Sequence, residues 1–310
     1  NTDTLLAAEA ASVDFKMIDL LRGVYTFKTI TVRSGNLNLY TDSTGKYNYS
    51  FTKKVIDDYE GRVRLNLERI NIADVRLLYH DLRVDLIIRC ILTNGRLKSR
   101  IRGSNIDFDG NSEVLFNSIS LGKTSFNHHF LARMDVGLNK NDKGIFFRKS
   151  VMSFDKQDIK LTGFISEDNY LDLSISGKQI DISRAFHYLS DNYRNLFTEY
   201  RPSGVLDLDC RIKGKSSRLE DPHYDISLSV KDGGLQRTRS DLGISKLRFD
   251  ASITNGIKNR KETGKLNISN FTAGIGSSVL NGSFSASDFS RPNADLKLKG
   301  VFVPSEFREL

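Results

Sequence analysis

The stretch "RVDLIIRCIL", residues 83–92, shows the pattern that decides the fold. Alternate side chains of a β-strand point to the same face of the sheet. One face of a strand formed here carries Val84, Leu86, Ile88, Cys90 and Leu92. Ile87 and Ile91 make the opposite face less polar than usual, which predicts a strand that is covered on both faces.

The same alternation recurs along the chain. Residues 36–40, "NLNLY", alternate strictly, and residues 61–70, "GRVRLNLERI", alternate apolar with charged or amide side chains. Clusters of Asp, Asn, Ser and Gly separate such runs and predict tight turns between antiparallel strands. These turn signals fall at residues 42–45, 93–95, 109–111, 141–144 and 232–234. The sequence therefore predicts a mainly β protein with a largely antiparallel, twisted sheet.

One segment breaks this pattern. Residues 181–204, "DISRAFHYLSDNYRNLFTEYRPSG", carry apolar and aromatic side chains at helical spacing. We expect an amphipathic helix over about 182–200, with Asp181 or Ser183 as its N-cap. Such a helix would cover an end or edge of the sheet, or alternatively face a membrane.

Two passages of the chain repeat each other. "LTG" at 161–163 and "DLSISGKQI" at 172–180 correspond to "LNG" at 280–282 and "DLKLKGVFV" at 295–303. The second copy continues into "PSEFREL", which is typical of the first turn of a helix. Self-similarity of this kind predicts a modular architecture. We place a division near Lys149, between modules over 1–149 and 150–310, because a new strand-rich segment that leads into the helix begins there. We expect the chain to be a fragment of a natural protein that has a further segment before Asn1 and that continues with more copies of the repeat.

Composition limits the class of protein. Hydrophobic residues make up 39% of the chain, which permits a real core, and the formal charge is +8. The basic excess is modest and mixed with acidic residues, so it favours anionic partners without a polybasic tract and without pointing to nucleic acid. No run approaches the roughly 18 apolar residues of a membrane helix.

Motifs for catalysis or metal binding are weak. Residues 122–124, "GKT", lack the first glycine of a phosphate-binding loop, and Asp107, Asp109 and Asn111 begin a calcium-like spacing that the following residues do not complete. His128 and His129 would point to opposite faces of a strand. We therefore predict no catalytic residues, no metal site and no cofactor.

The two cysteines are predicted to be small buried hydrophobic residues. Cys90 and Cys210 both fall on the apolar face of an alternating run. The sequence leaves open whether they form a disulfide with each other, because two distant cysteines do not establish a pairing.

Three short motifs stand in order in the amino-terminal part of the chain: "LLRG" at 20–23, "GNLNL" at 35–39 and "DSTGKYNY" at 42–49. Together with the repeated passages described above, they resemble the AsmA family of bridge-like lipid-transfer proteins. It implies a periplasmic protein of the bacterial cell envelope that is anchored to the inner membrane by an amino-terminal helix. It also implies an elongated, β-taco-like open groove that carries phospholipid or lipopolysaccharide acyl chains between membranes and contributes to outer-membrane biogenesis.

Apolar residues of the alternating runs are the candidates for the lining of that groove. They are Leu37, Leu39, Val63, Leu65, Leu67, Leu86, Ile88, Leu171, Leu173 and Ile175. A closed β-sandwich would use the same alternation to form its core. The alternative function is therefore a non-catalytic envelope-assembly or adhesin-like scaffold that binds protein or glycan.

Overall fold

The structure, a computed structural model, is mainly β and largely antiparallel. It describes residues 4–15, 25–48, 63–64, 68–102, 105–122, 124–127, 129–189, 194–195, 198–217, 219–238 and 243–307. The chain divides into two compact units. The first comprises Asn1–Phe154 with Thr162–Asn169, and the second comprises Asp155–Leu161 with Tyr170–Leu310.

The first unit is an open sheet whose strands follow one another closely in chain order. Its strands are β1 (Leu6–Phe15), β2 (Tyr25–Thr41), β3 (Val63–Arg64), β4 (Arg69–Asp81), β5 (Leu86–Arg102), β6 (Asn105–Leu121), β7 (Thr124–Phe126), β8 (Phe130–Asn141) and β9 (Gly144–Phe154). The parallel partners of β2 are β3 and β4, and the remaining pairs are antiparallel. The predicted division near Lys149 falls inside β9.

The second unit is an antiparallel meander. β10 (Gln157–Ser166) passes from the second unit into the first at Thr162. The strands that follow are β11 (Tyr170–Asp181), β12 (Tyr200–Lys215), β13 (His223–Arg237), β14 (Gly243–Thr254), β15 (Lys265–Ile275), β16 (Ser278–Ser287) and β17 (Asn293–Val301). From β11 to β17, each strand pairs with the next one in the chain. The prediction of a mainly β, largely antiparallel, open sheet is confirmed.

A series of bulges crosses the second unit. Five consecutive strands, β11 to β15, each contain a residue with positive φ. These residues are Gln179, Gly204, Asp232, Lys246 and Asn270. The strand register shifts beside each of them. Because a bulge bends its strand and increases its twist, bulges in successive strands bend the sheet along a line.

Three of the predicted turns lie inside strands. Residues 93–95 lie within β5, residues 109–111 within β6 and residues 232–234 within β13. The turn predictions at these positions are wrong, because the Asn, Asp and Gly residues there accommodate bulges or close strand contacts. The predicted turns at 42–45 and 141–144 are confirmed: the first follows the end of β2 at Thr41, and the second joins Asn141, the last residue of β8, to Gly144, the first of β9.

The predicted helix is much shorter than expected. Helix α1 spans Ile182–Ala185 and continues as one 3₁₀ turn over Phe186–Tyr188. Leu189 has φ −69° and ψ 151°, which is extended backbone, and Tyr200 begins β12. A continuous helix over 182–200 is therefore wrong. Residues 190–193 and 196–197 of the predicted segment lie outside the described residues. Apolar side chains at helical spacing indicate a helix but do not determine where it ends.

Asp181 is the N-cap of α1, as predicted. Its Oδ1 accepts hydrogen bonds from the backbone N–H of Ser183 at 2.9 Å and of Arg184 at 3.3 Å. Two amide groups that a helix start leaves without partners are satisfied in this way.

Both copies of the repeat form two strands followed by a helical turn that reaches back to an earlier turn. In the first copy, Arg184 of α1 donates hydrogen bonds to the backbone oxygen and carboxylate of Asp155, at 3.1 and 3.2 Å. In the second copy, the 3₁₀ turn Pro304–Phe307 places Glu306 against Ser277. In both copies, therefore, the helical turn is hydrogen-bonded to residues just before the first strand of the same copy.

Candidate functional site

One face of the first unit carries continuous rows of apolar side chains. Paired residues of neighbouring strands share a face, so the strand register defines these rows. One row contains Leu37, Leu77, Cys90, Phe116 and Phe130. The row on one side of it contains Leu39, Tyr79, Ile88 and Ile119. The row on the other side contains Val75, Leu92, Val114 and Ala132. The rings of Phe116 and Phe130 stack with their centroids 4.8 Å apart.

The predicted lining residues of the first unit fall on this face wherever their side chains are described. Leu37, Leu39, Leu86 and Ile88 are half-buried and lie in the rows or at their end. Val63 belongs to β3, and Leu65 and Leu67 lie outside the described residues.

The apolar face of the second unit is more regular. One row takes a residue from every strand from β11 to β17: Ile175, Cys210, Ile226, Ile253, Leu266, Ala286 and Ala294. The next row contains Gly177, Leu208, Leu228, Ala251, Ile268, Phe284 and Leu296. We call these two rows the apolar rows of the second unit.

The predicted residues Leu171, Leu173 and Ile175 lie on this face and are half-buried. Ile175 begins one of the apolar rows, and Leu173 pairs with Ile212. Most members of the two rows were not among the predicted residues, although the alternation in "DISLSV" at 225–230 and "LNIS" at 266–269 indicates them.

The central side chains of the apolar rows stay partly exposed. Leu228, Ile253 and Ile268 have strands on both sides, yet each is only half-buried. Ala251, which lies between Leu228 and Ile268 in its row, is 7% exposed. A second sheet packed on this face would bury the large central side chains fully, as in a sandwich core. The half-burial shows an apolar surface without a complete second layer.

The apolar face of the first unit ends in a buried ion pair. Asp81, only 3% exposed, pairs in register with Leu86. Arg83 Nη2 lies 2.6 Å from Asp81 Oδ2. The Nε and the backbone N–H of Arg83 donate hydrogen bonds to Asp81 Oδ1, at 3.0 and 2.9 Å. Burial acts to raise the pKa of the Asp81 carboxyl, but the bonds from Arg83 outweigh it, so the pKa is lowered.

The opposite face of the second unit is polar. A row on that face contains Ser176, Asp209, Ser227, Ser252, Asn267, Ser285 and Asp295. Part of this face forms a shallow depression of about 360 Å³ whose polar lining includes Lys178, Asp207, Ser229 and Asp250. Hydroxyl, amide and carboxylate groups of this kind bind polar rather than apolar ligands.

Carboxylates of the polar face form hydrogen bonds with residues of the bulges. Asp207 Oδ1 accepts a hydrogen bond from the backbone N–H of Gln179 at 2.9 Å, and Asp250 Oδ2 accepts one from the side-chain amide of Asn270 at 2.7 Å. The pKa of Asp207 is lowered chiefly by the Gln179 N–H, and that of Asp250 chiefly by Asn270. These carboxylates stabilise the bent sheet, since both bonds involve a left-handed residue of the bulge series.

Both cysteines are free and lie on apolar faces. Cys90 is buried, and burial raises the pKa of its thiol to about 11. Cys210 is only half-buried, and burial raises the pKa of its thiol as well, with a smaller contribution from Asp225. The prediction of a small buried hydrophobic residue is therefore confirmed for Cys90, while Cys210 stays partly accessible.

The weak motifs of the sequence have structural roles. Asp107 and Asp109 lie within β6 and pair with Arg148, at 3.0 and 2.8 Å. His129 is exposed and contacts Asn117. Within the described ranges, no group of three His, Cys, Asp or Glu side chains is arranged to hold a metal ion. No helix in the described part of the chain has the length and apolar content that a membrane crossing requires.

Comparison with protein-family models, with curated proteins and with solved structures finds no match for this chain.

Proposed function

We propose that this protein binds the acyl chains of lipids on its apolar sheet faces and acts in lipid transfer, without catalysis. The half-burial of Leu228, Ile253 and Ile268 in the middle of the sheet carries this proposal. Contiguous apolar surface that remains accessible costs free energy in water and is typical of a binding site. Acyl chains suit it because the rows offer apolar contact without polar partners.

The dimensions of the second unit fit such ligands. Seven strands, β11 to β17, contribute to each apolar row. Neighbouring strands lie about 4.8 Å apart, so a row is about 29 Å long, which exceeds the length of a single acyl chain. A strand of about six residues spans roughly 20 Å, close to the length of one acyl chain. The face therefore has room for the apolar part of a phospholipid or lipopolysaccharide molecule.

The resemblance to the AsmA family supports a cellular location for this activity. It favours the periplasm, with an amino-terminal anchor in the inner membrane, and a contribution to lipid transport between membranes and to outer-membrane biogenesis. The basic excess of the chain is compatible with anionic lipid head groups.

The alternative is a non-catalytic scaffold of the cell envelope that binds protein or glycan. The depression on the polar face is the observation that favours it, because its Ser, Asn and Asp side chains offer hydrogen bonds to a polar ligand. The two functions use opposite faces of the same strands, which makes them separable by substitution.

The test compares one pair of substitutions on each face. Ile226→Gln with Ile253→Gln places amides in an apolar row, and Ser227→Gln with Ser252→Gln adds the same side chains to the polar row one residue away. Each purified protein is examined by native mass spectrometry for co-purified lipid and by transfer of a fluorescent phospholipid from vesicles.

We expect the apolar-face pair to lose bound lipid and the polar-face pair to retain it, with both proteins showing cooperative thermal unfolding. A folded protein that carries no lipid and takes up none would overturn the proposal. Loss of lipid only in the polar-face pair would also contradict it, and glycan binding that this pair abolishes would support the scaffold.

A further inference from the structure

Two hairpin loops of the second unit carry the most exposed large apolar side chains among the described residues. Leu219, between β12 and β13, is 97% exposed, and Ile257, between β14 and β15, is 93% exposed. Val301 comes next, at 65%. A leucine or isoleucine that stays in water forgoes the free energy that its burial would release, so a surface with two of them is a candidate for contact with an apolar medium.

Hydrogen bonds join the two loops at one end of the sheet. The buried side chain of Asn255 donates to the backbone oxygen of Pro222 at 2.8 Å and accepts from the backbone N–H of Tyr224 at 3.0 Å. His223 Nδ1 lies 3.2 Å from the backbone oxygen of Gly256. The two exposed side chains therefore project from one hydrogen-bonded structure rather than from two independent loops.

Tight turns place both side chains at the tips of their loops. Ile257 is a central residue of a turn that the backbone N–H of Asn259 closes with a hydrogen bond of 3.1 Å. Leu219 lies in a turn in which the backbone N–H of Ser217 donates to the backbone oxygen of Glu220 at 2.9 Å. Because these bonds fix the backbone around each side chain, the exposure of the two tips is built into the loops.

The β14–β15 loop is also basic. Lys258, Arg260, Lys261 and Lys265 are exposed, and Glu262 is the sole acidic residue between positions 258 and 265. None of the four cations lies within ion-pair distance of a carboxylate in the part of the chain that the structure describes. The β12–β13 loop carries charges of both signs. Cations close to an anionic membrane surface each strengthen binding to it.

We propose that these two loops dock on the surface of an anionic lipid bilayer. Leu219 and Ile257 enter the boundary between head groups and acyl chains, and the cations of the β14–β15 loop face the lipid phosphates. A bilayer fits better than a protein partner, because each apolar tip stands singly beside charged residues, whereas the core of a protein interface is contiguous and poor in lysine. This docking goes beyond the proposed function, since acyl chains can bind the apolar rows of the second unit without it.

The first experiment tests the apolar tips. Flotation measures binding of the 310-residue chain to vesicles of phosphatidylcholine, with or without about one third phosphatidylglycerol. Leu219→Ser and Ile257→Ser remove the tips, singly and together. Leu131→Ser is the matched control, because this leucine is 56% exposed on β8 of the first unit. Thermal unfolding confirms that each variant is folded.

The second experiment tests the charge. Lys258→Gln with Lys261→Gln removes two cations from the β14–β15 loop. Lys156→Gln with Lys160→Gln is the matched control, because it removes the same charge from exposed lysines of the second unit that lie outside the two loops.

We expect the wild type to float with the anionic vesicles and not with the neutral ones. Removal of both tips should weaken this binding roughly tenfold or more, and removal of the two loop lysines about tenfold. Each control should change it by less than about twofold. A wild type that does not float with anionic vesicles would overturn the proposal, as would equal losses in the loop variants and their controls.

The substitutions in the apolar row separate docking from lipid binding by that row. Ile226→Gln with Ile253→Gln should still float with anionic vesicles, and the tip variants should keep their co-purified lipid. Loss of flotation in the apolar-row pair with full flotation of the tip variants would overturn the docking proposal, because vesicles would then contact the rows. Failure of docking therefore leaves the proposed function to its own test.

Discussion

The carboxylate of Glu306 accepts two hydrogen bonds from Ser278, from its backbone N–H at 3.1 Å and from its hydroxyl at 2.6 Å. Its other oxygen accepts the same two groups of Ser277, at 2.8 and 2.6 Å. The 3₁₀ turn that contains Glu306 is thereby held against the turn between β15 and β16. Bonds of this kind favour the ionised carboxylate and lower the pKa of Glu306 to about 2, with the hydroxyls of Ser277 and Ser278 as the largest causes.

We predict that Glu306→Gln loosens this turn. A glutamine offers one acceptor oxygen where the carboxylate offers two, so amide hydrogen exchange at Ser277 and Ser278 should become faster. The folded-state pKa of Glu306 lies below its ordinary value, so its contribution is complete above about pH 4.5 and is lost as pH falls towards 2. Wild-type protection should decline over that interval, whereas the Gln variant should show little change there.

Glu262→Gln is the matched control, because it removes the same charge from another 3₁₀ turn, Lys261–Thr263. Equal exchange rates in the wild type and in Glu306→Gln would show that the four hydrogen bonds do not hold the turn in solution.

Removal of Arg83 should destabilise the first unit. Arg83→Met leaves the buried carboxylate of Asp81 without its cation, a change that costs on the order of 3 kcal/mol of unfolding free energy. The exposed Arg76 of β4 provides the control Arg76→Met, which should cost well under 1 kcal/mol. Urea unfolding at pH 7 measures both values.

The effect of Arg83→Met should also depend on pH. The pKa of Asp81 is lowered in the folded protein, so the ion pair stabilises the fold above about pH 4 and this contribution is lost as pH falls. A protonated Asp81 needs no cation, so the difference between the wild type and Arg83→Met should shrink in acid. A difference that stays constant from pH 7 to pH 3 would rule out the ion pair as its cause.

Local sequence predicted the strands better than it predicted where they end. The Asp-Gly-Gly sequence at 232–234 is typical of a hairpin turn, yet it forms a bulge inside β13, where Asp232 has a φ of 50°. Tight hairpin turns and bulges both use residues that adopt left-handed backbone. The partner strand decides between them, and no property of the three residues identifies that partner.

The alternation of apolar residues located the candidate face but not its openness. Leu173 and Ile175 were predicted for the face that they occupy, because period 2 determines the side of a strand. Whether a second layer covers that face depends on packing between distant segments. The half-burial of Leu228, which the structure shows, is therefore beyond the reach of a local pattern.

Two glycines of β12 allow the effect of a steric clash on stability to be measured apart from the effect of backbone strain. Gly204 and Gly214 both lie in β12 and have φ of 113° and 123°, so alanine is strained at either position. A Cβ at Gly204 would lie 2.6 Å from the Cα of Gly233, whereas a Cβ at Gly214 meets nothing closer than 3.5 Å. We predict that Gly204→Ala costs about 2 kcal/mol more unfolding free energy than Gly214→Ala, because the strands at the bulge must move apart. Equal losses in thermal unfolding would show that the two strands do not approach so closely there.

Cys210 should report directly on occupancy of the apolar rows. Its thiol is half-buried in the row that contains Ile226, and burial raises its pKa, so maleimide should react with it slowly at pH 8.5. If acyl chains bind over this row, lipid at ten times its dissociation constant should slow the reaction about tenfold, since only the free protein reacts. Cys90 is the internal control, because its buried thiol should react only when the protein unfolds. Mass spectrometry of the labelled peptides follows both residues at once, and an unchanged rate at Cys210 in saturating lipid would place the ligand elsewhere.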